Sequence, residues 1–280
     1  MKLLAAVITY YPDVDDAVTN ILQYIDDVDM LVIWENTPQD DIDNYKILLP
    51  DYEDKVIYKG TGKNEGIAYP LNRIVEYGIL NNYTHFLTMD QDSYFVNFKN
   101  YKECVERYMN QDDIGIYSPN INNKLKSVNE IETVTDAITS GSIFRLSIFK
   151  QDLFFREDFF IDMVDNEFCY HAYRMNFRTV ALPNFELKQR FGNMTKYSVG
   201  IYSLNYSAFR IYHIIRNFIV TWKKYPDLIQ NKHVFVQKVI INRIIKILLF
   251  ESDKKRKLLA VYWGIRDGFA KRMIERDFKN

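Results

Sequence analysis

Cysteine, long apolar runs and net charge are what this chain has least of, and each shortage excludes something. Its two cysteines, Cys104 and Cys169, lie far apart with no Cys-x-x-Cys spacing. That argues against a disulfide framework and against a zinc module, and suits a reducing cytoplasm. No uninterrupted apolar stretch approaches the ~18 residues that would suggest a spanning helix. The opening Met1-Lys2-Leu3-Leu4-Ala5-Ala6-Val7-Ile8 is faintly signal-like, but it runs into Thr9-Tyr10-Tyr11-Pro12-Asp13 without a small-residue cleavage site and reads as a first strand. Disorder does not fit 280 residues of which 48% are apolar, enough for one large domain with an appendage or two modest ones.

The net charge of −1 conceals an asymmetry. From Arg210 onward 17 Lys and Arg face six Asp and Glu, so the tail is strongly basic and residues 1–209 are correspondingly acidic. The expected division is therefore an acidic domain over 1–209 and a basic helical region over 210–280. A basic tail on an acidic body suggests an anionic surface as partner. In Val234–Phe250, the residues Val236, Ile240, Ile241, Ile244, Ile245, Ile247 and Leu248 share one helical face and Lys238, Asn242, Arg243 and Lys246 the other, with Lys254-Lys255-Arg256-Lys257 following. That pattern fits a helix lying on an anionic bilayer, and equally a helix packing on the preceding domain. Base-stacking nucleic-acid modules interleave aromatics with basic residues on a sheet. Here the positive charge is on aliphatic helices, so no nucleic acid is expected.

The first half alternates strand-like and helix-like segments. Strands are expected at Leu3–Tyr10, Met30–Glu35, Lys55–Lys59, His85–Asp90 and Ile114–Ser118, and helices at Asp15–Ile25, Asp40–Leu48, Ile67–Asn81 and Tyr101–Met109. This rhythm predicts an α/β fold with a mostly parallel, Rossmann-like sheet, whose ligands bind outside the carboxyl ends of the strands. From Ser207 the pattern is helical, through Tyr212–Trp222, His233–Phe250 and, after a basic break, Trp263–Met273.

Polar residues gather at the expected strand ends: Thr9, Tyr10 and Tyr11, then Glu35-Asn36-Thr37, then Asp90-Gln91-Asp92. At the end of a strand, carboxylates spaced by one residue point to the same side and suit an oxygen-preferring divalent cation completed by water and phosphate. A polar turn gives the same spacing without a metal. The loop Gly60-Thr61-Gly62-Lys63-Asn64-Glu65-Gly66 allows close backbone approach before a helix, and it is not a Walker loop.

Taken in order, these pieces resemble the inverting glycosyltransferases of family two, with the nucleotide-sugar-binding GT-A fold, and most closely the bacterial rhamnosyltransferase group. Val7-Ile8-Thr9-Tyr10-Tyr11-Pro12 looks like the opening strand and Trp34-Glu35-Asn36-Thr37 like the end of the second. Asn64-Glu65-Gly66-Ile67-Ala68 with Asn72 resembles the Asn-x-Gly-x-Ala helix start, and Leu87-Thr88-Met89-Asp90-Gln91-Asp92-Ser93 the metal motif. Ser140-Gly141-Ser142 and Phe160-Ile161-Asp162-Met163-Val164-Asp165-Asn166-Glu167 are similar to the acceptor-side motif. Arg210-Ile211-Tyr212-His213-Ile214-Ile215-Arg216-Asn217 is similar to a helix motif of the group.

The resemblance implies transfer of a sugar, with inversion, from a nucleotide diphosphate to a hydroxyl of a lipid-linked or polysaccharide acceptor during bacterial surface glycan synthesis, at the inner face of the plasma membrane. It implies Mg²⁺ or Mn²⁺ on Asp92 and Asp90, and Asp165 as general base with Asp162 as second candidate. Thr9, Tyr10, Glu35, Asn64, Asn72, Asp90, Gln91, Arg210 and Arg216 would bind the nucleotide sugar. The Asp-Gln-Asp-Ser form favours dTDP-rhamnose, with uridine-linked galactofuranose, galactose or glucose left open. Three positions depart from the pattern: His171 stands for a usual Arg, Gln189 for a frequent His, and His213 for a Tyr. The second puts a protein-supplied third metal ligand in doubt. A haloacid dehalogenase-type phosphohydrolase also uses Asp-x-Asp, but normally on its first strand, which here ends in Thr9-Tyr10-Tyr11.

Overall fold

The computed structural model describes residues 1–149, 153–189, 195–198, 201–203, 205–229, 232–274, 276 and 278. These form two compact units: 1–156 with 165–190, and 157–164 with 191–280. The second unit takes in the whole of the basic region 210–280, together with 191–209 and the short segment 157–164.

The first unit is built on β1 (Leu3–Thr9), β2 (Met30–Glu35), β3 (Val56–Gly60), β4 (His85–Asp90), β5 (Ser93–Phe95), β6 (Ile114–Ile121), β7 (Glu132–Val134), β8 (Ile143–Arg145) and β9 (Arg178–Gln189). Helices α1 (Val14–Leu22), α2 (Ala68–Leu80), α3 (Phe98–Tyr108) and α4 (Val164–Arg174) connect them, α4 starting one residue before the boundary. The sheet order is β3-β2-β1-β4-β8-β6-β9-β5, with β7 on β9. Parallel pairing joins β3, β2, β1 and β4, and also β6 with β9. Between these blocks β8 runs antiparallel to both β4 and β6.

Both sheet faces are covered, which explains strands read as near-continuous apolar runs. Leu3, Ala5 and Val7 of β1 join Leu31, Ile33, Ala17, Ile21, Phe98 and Tyr101 in one core cluster. On α2, a Cβ at Gly78 would lie 3.0 Å from Leu146 and 3.1 Å from Leu4, so glycine lets the helix sit close without displacing those side chains. The segment Asp40–Leu48, expected to be helical, contributes only a 3₁₀ turn, Ile42–Asn44. Ile47 and Leu49 are drawn into the core, and Leu49, which precedes Pro50, is held out of the helical region at φ −129° and ψ 73°.

The second unit contains the two-stranded ribbon β10 (Thr195–Ser198) and β11 (Ile201–Ser203), then α5 (Ala208–Lys224), α6 (Lys232–Phe235), α7 (Asn242–Leu249) and α8 (Lys254–Ala270). A π-helical stretch, Val236–Ile241, interrupts what was expected to be one helix. The basic run 254–257 is the first turn of α8 and not a break, since Lys and Arg are good helix formers. The break falls at Asp253, which has φ +54°. Helices α5 and α8 pack closely because α8 offers glycines to α5. Cβ atoms at Gly264 and Gly268 would lie 3.0 and 2.8 Å from Ile215 and Ile219. Among the described residues no helix is long and apolar enough to cross a membrane.

Candidate active site

Strand register places the polar ends side by side. Thr9 pairs with Glu35, Glu35 with Gly60, and Ile8 with Asp90, so three neighbouring strands deliver their terminal side chains to one sheet edge. Neighbouring strands lie ~4.8 Å apart, which keeps the group within the reach of one ligand. Thr9 is buried, its hydroxyl donating to the Trp34 carbonyl. Burial holds the Glu35 carboxyl above the usual range, with Lys46 pulling it down, and its Oε1 has no hydrogen-bond partner. Tyr10 and Tyr11 are exposed and meet edge to face at 4.7 Å, and Tyr45 meets Tyr11 in the same way at 5.0 Å. Tyr45 carries no mark in the sequence, because it reaches the edge from an irregular loop.

Amide side chains fasten these ends. The Tyr10 amide donates to Gln91 Oε1 at 2.8 Å, and Gln91 Nε2 donates back to the Tyr10 carbonyl at 3.2 Å. Asn36 donates to the Gly66 carbonyl at 2.6 Å and accepts from the Glu65 amide at 3.2 Å, pinning the glycine loop to the end of β2. Asn64 accepts from the Gly66 amide at 2.9 Å and shapes that loop from within. Asn72, buried on α2, donates to the Phe155 carbonyl at 2.8 Å and accepts from its amide at 3.0 Å.

The segment 136–142 links β4 to α4. The Asp90 amide donates to Ser140 Oγ at 3.2 Å, and backbone bonds join Thr88 to Gly141 and Ser142. Gly141 has φ +75°, and a Cβ there would meet Pro119, Leu187 and Phe95 at 2.8, 2.9 and 3.1 Å, so no other residue fits. At the other end of the segment, Asp136 accepts from Asn166 Nδ2 at 2.9 Å and from the Tyr170 hydroxyl at 2.7 Å. Asp165, half-buried in the first turn of α4, accepts from the Asn166 amide at 2.9 Å. Its helix and the strand carrying Asp90 are thus tied to the same seven residues. Asp136 and Ser140 hold this frame and were not among the expected site residues; only the Ser-Gly-Ser motif hinted at it.

Asp90 and the half-buried Asp92 leave β4 together. Gln189, on β9 and opposite Ser93, donates its Nε2 to Asp90 Oδ2 at 2.6 Å. Its Oε1 is then buried without a donor. Two carboxylates and an amide carbonyl suit a hard cation that takes its remaining ligands from phosphate and water. Among the described residues there is no group of three or more His, Cys, Asp and Glu side chains able to hold a metal alone.

The other expected residues lie in the second unit. Asp162 is bound by Arg210 through two bonds of 3.1 Å each. Burial raises its pKa, and Arg210 and Arg243 oppose the rise. Arg210 also lies over the Tyr206 ring at 4.5 Å. Arg216 is only 1% exposed and donates to the carbonyls of Ile274 and Asp158 at 2.9 Å each. Beside it, burial and the guanidinium push the His213 pKa down to about 3. Phe160, Asp162 and Met163 have φ values of +62°, +62° and +65°, left-handed positions on either side of Ile161 that cost on the order of 1 kcal/mol each and persist only where their surroundings enforce them.

No family model matches the chain. It is similar to a dTDP-rhamnosyl transferase, RfbF, of Shigella flexneri, at 24% identity over 95% of this chain and 96% of that one. Among solved structures it resembles S. aureus TarS 1–349 in complex with UDP, with a TM-score of 0.57 at 14% identity, over 98% of this chain and 82% of that one. It also resembles GalNAc-T7 with UDP, GalNAc and Mn²⁺, with a TM-score of 0.61 at 8% identity, over 97% of this chain and 56% of that one. The fold is that of the GT-A glycosyltransferases, and the resemblance drawn from the ordered motifs holds.

Proposed function

We propose that this protein is an inverting glycosyltransferase that moves rhamnose from dTDP-rhamnose to a hydroxyl of a lipid-linked or polysaccharide acceptor in bacterial surface glycan synthesis. The observation that carries this reading is the convergence of Thr9, Glu35 and Asp90 on one strand edge, fastened to the helix of Asp165 through residues 136–142. Similarity to the Shigella protein along nearly the whole chain supports the donor. The UDP-bound neighbours support UDP-hexose or UDP-galactofuranose as the alternative.

In this reading Tyr10, Tyr11 and Tyr45 stack on the base, Thr9 and Glu35 meet base and ribose, and Asp90 and Asp92 would hold Mg²⁺ or Mn²⁺, with the Gln189 carbonyl oxygen as a further donor. Such an ion, when bound there, would supply positive charge against the departing diphosphate. Asp165 takes the proton of the acceptor hydroxyl, whose oxygen attacks the anomeric carbon. The bond from that carbon to the diphosphate oxygen breaks, and the nucleoside diphosphate leaves with the electron pair. Asp162, with both oxygens on Arg210, is less suited to be the base. Asn72, Gln91 and Arg216 act by holding backbone in place. The exposed aliphatic residues of the C-terminal helices, among basic ones, support contact with an anionic membrane on the cytoplasmic side.

Thermal stabilisation across a panel of nucleotide sugars, with and without Mn²⁺, tests the reading. dTDP-rhamnose should stabilise most, and more with the ion. Stabilisation by a UDP-sugar alone would transfer the reading to that donor, and none by any nucleotide would overturn it.

A further inference from the structure

Beyond these contacts, we infer that Arg216 and Asn217 of α5, with His213, are positioning residues for Asp165. They template the left-handed loop that feeds α4, an inference that rests on Asp165 being the base. Arg216 Nη2 donates to the carbonyls of Asp158 and Phe159 at 2.9 and 3.4 Å. Asn217 Nδ2 lies 2.9, 2.8 and 3.0 Å from the carbonyls of Phe159, Ile161 and Asp162. Arg216 Nε donates to Asn217 Oδ1 at 2.9 Å and fixes the amide's orientation, and His213 Nδ1 lies 3.0 Å from the Phe159 carbonyl. Four carbonyls within five residues are thus turned toward one helix.

Those residues include Phe160 and Asp162, which with the following Met163 take positive φ around Ile161, all without a glycine. Local preference does not maintain three such positions within four residues, so the grip from α5 has to. Arg216 and Asn217 are 1% and 0% exposed, which removes water as a competitor for the carbonyls. The clamp is also backed from behind. A Cβ at Gly268 would lie 3.1 Å from the Arg216 carbonyl, and Asp267 accepts from the Tyr212 hydroxyl at 3.0 Å. Three residues after Ile161 the chain starts α4, and Asp165 is its second residue. The loop conformation therefore sets where α4 begins, and with it the place of the carboxylate. The Arg-x-Tyr-His-x-x-Arg-Asn helix is in this account a gauge for the backbone and not a ligand for the diphosphate.

The test is a double-mutant cycle on nucleoside diphosphate release, using the nucleotide sugar that most stabilises the wild type. Asp165→Asn is combined with Asn217→Ala and, as a milder change, with Arg216→Lys. Misplacing a catalytic group by ~1 Å costs roughly 10²-fold. Each clamp variant should therefore lower kcat by that order, leave the donor KM unchanged, and cause no further loss in the Asp165→Asn background. Equal losses in both backgrounds, a folded Asn217→Ala with wild-type kcat, or failure of both clamp variants to fold would overturn the positioning role. Wild-type turnover by Asp165→Asn alone would instead remove the base assignment on which it rests.

Discussion

Gln91 and Tyr10 are joined by two hydrogen bonds, one in each direction between a side-chain amide and a backbone peptide 81 residues away. The residue between the two carboxylates therefore stitches the end of β4 to the end of β1. Each such bond contributes about 1 kcal/mol net, and water reaches this exposed edge, so Gln91→Ala should cost roughly 1–2 kcal/mol by denaturant midpoint. Nucleotide affinity should fall with it. Weakened binding at unchanged stability would mean that Gln91 contacts the ligand itself.

Asp92→Ala and Asp165→Asn should both lose transfer while melting like the wild type, by different routes. The first should also lose the extra thermal stabilisation that Mn²⁺ gives in the presence of nucleotide. The second should keep it and lose the ~10²–10⁴-fold that a general base contributes. Retained turnover in both variants would dismiss the site.

Glu35 gives a pH signature. Burial raises its pKa in the folded protein, so its contribution is fully present below the unfolded value and is lost as pH rises through the folded one. At neutral pH the buried charge weakens the fold. Glu35→Gln should accordingly raise the melting temperature at neutral pH and give no advantage near pH ~4, below the ordinary Glu value. An equal gain at both pH values would show that charge is not the cause.

Gly268→Ala sets two effects against each other. Helix propensity favours alanine by about 1 kcal/mol, while overpacking a tight contact costs about 1–3 kcal/mol. With Ile219 Cβ only 2.8 Å from the new methyl group, packing should dominate, and the thermal midpoint should fall. A rise would show that α8 moves away from α5 without loss.

Ile241, Ile245, Leu248 and Leu249 are 48%, 47%, 49% and 63% exposed on α7 and at the end of the π-helical stretch before it. Sedimentation with vesicles should show binding to phosphatidylglycerol mixed with phosphatidylcholine. Binding should weaken with salt and vanish in Ile245→Glu/Leu248→Glu. Equal binding to phosphatidylcholine alone, or retention by the double variant, would argue against an anionic bilayer as partner.

The parts of this molecule legible in the sequence are those whose signal is local. Met30–Glu35 and His85–Asp90 are strands at the expected residues, because sheets covered on both faces demand unbroken apolar runs. The polar ends of β1, β2 and β4 follow directly from that. The conformation of 160–163 left no sign, since non-glycine residues at positive φ are imposed by their neighbours and not by their own preference. Arg216 resembled a ligand for phosphate, and nothing in its spacing shows that it faces backbone carbonyls instead. Short β8, three residues long, is equally silent in the sequence, and the register it makes is between segments more than fifty residues apart.

That three-residue strand governs the order in which the molecule can be completed. The parallel block ending at β4 is finished by residue 90, but its free side is closed only when 143–145 arrive. A nascent chain released between those points presents an apolar strand with an unsatisfied edge, the kind of edge that pairs with other chains. Asp90 and Asp92 sit at the tip of that same strand. The interval of synthesis in which this edge lies open is therefore also the interval in which Asp90 and Asp92 exist without the 136–142 frame that orients them.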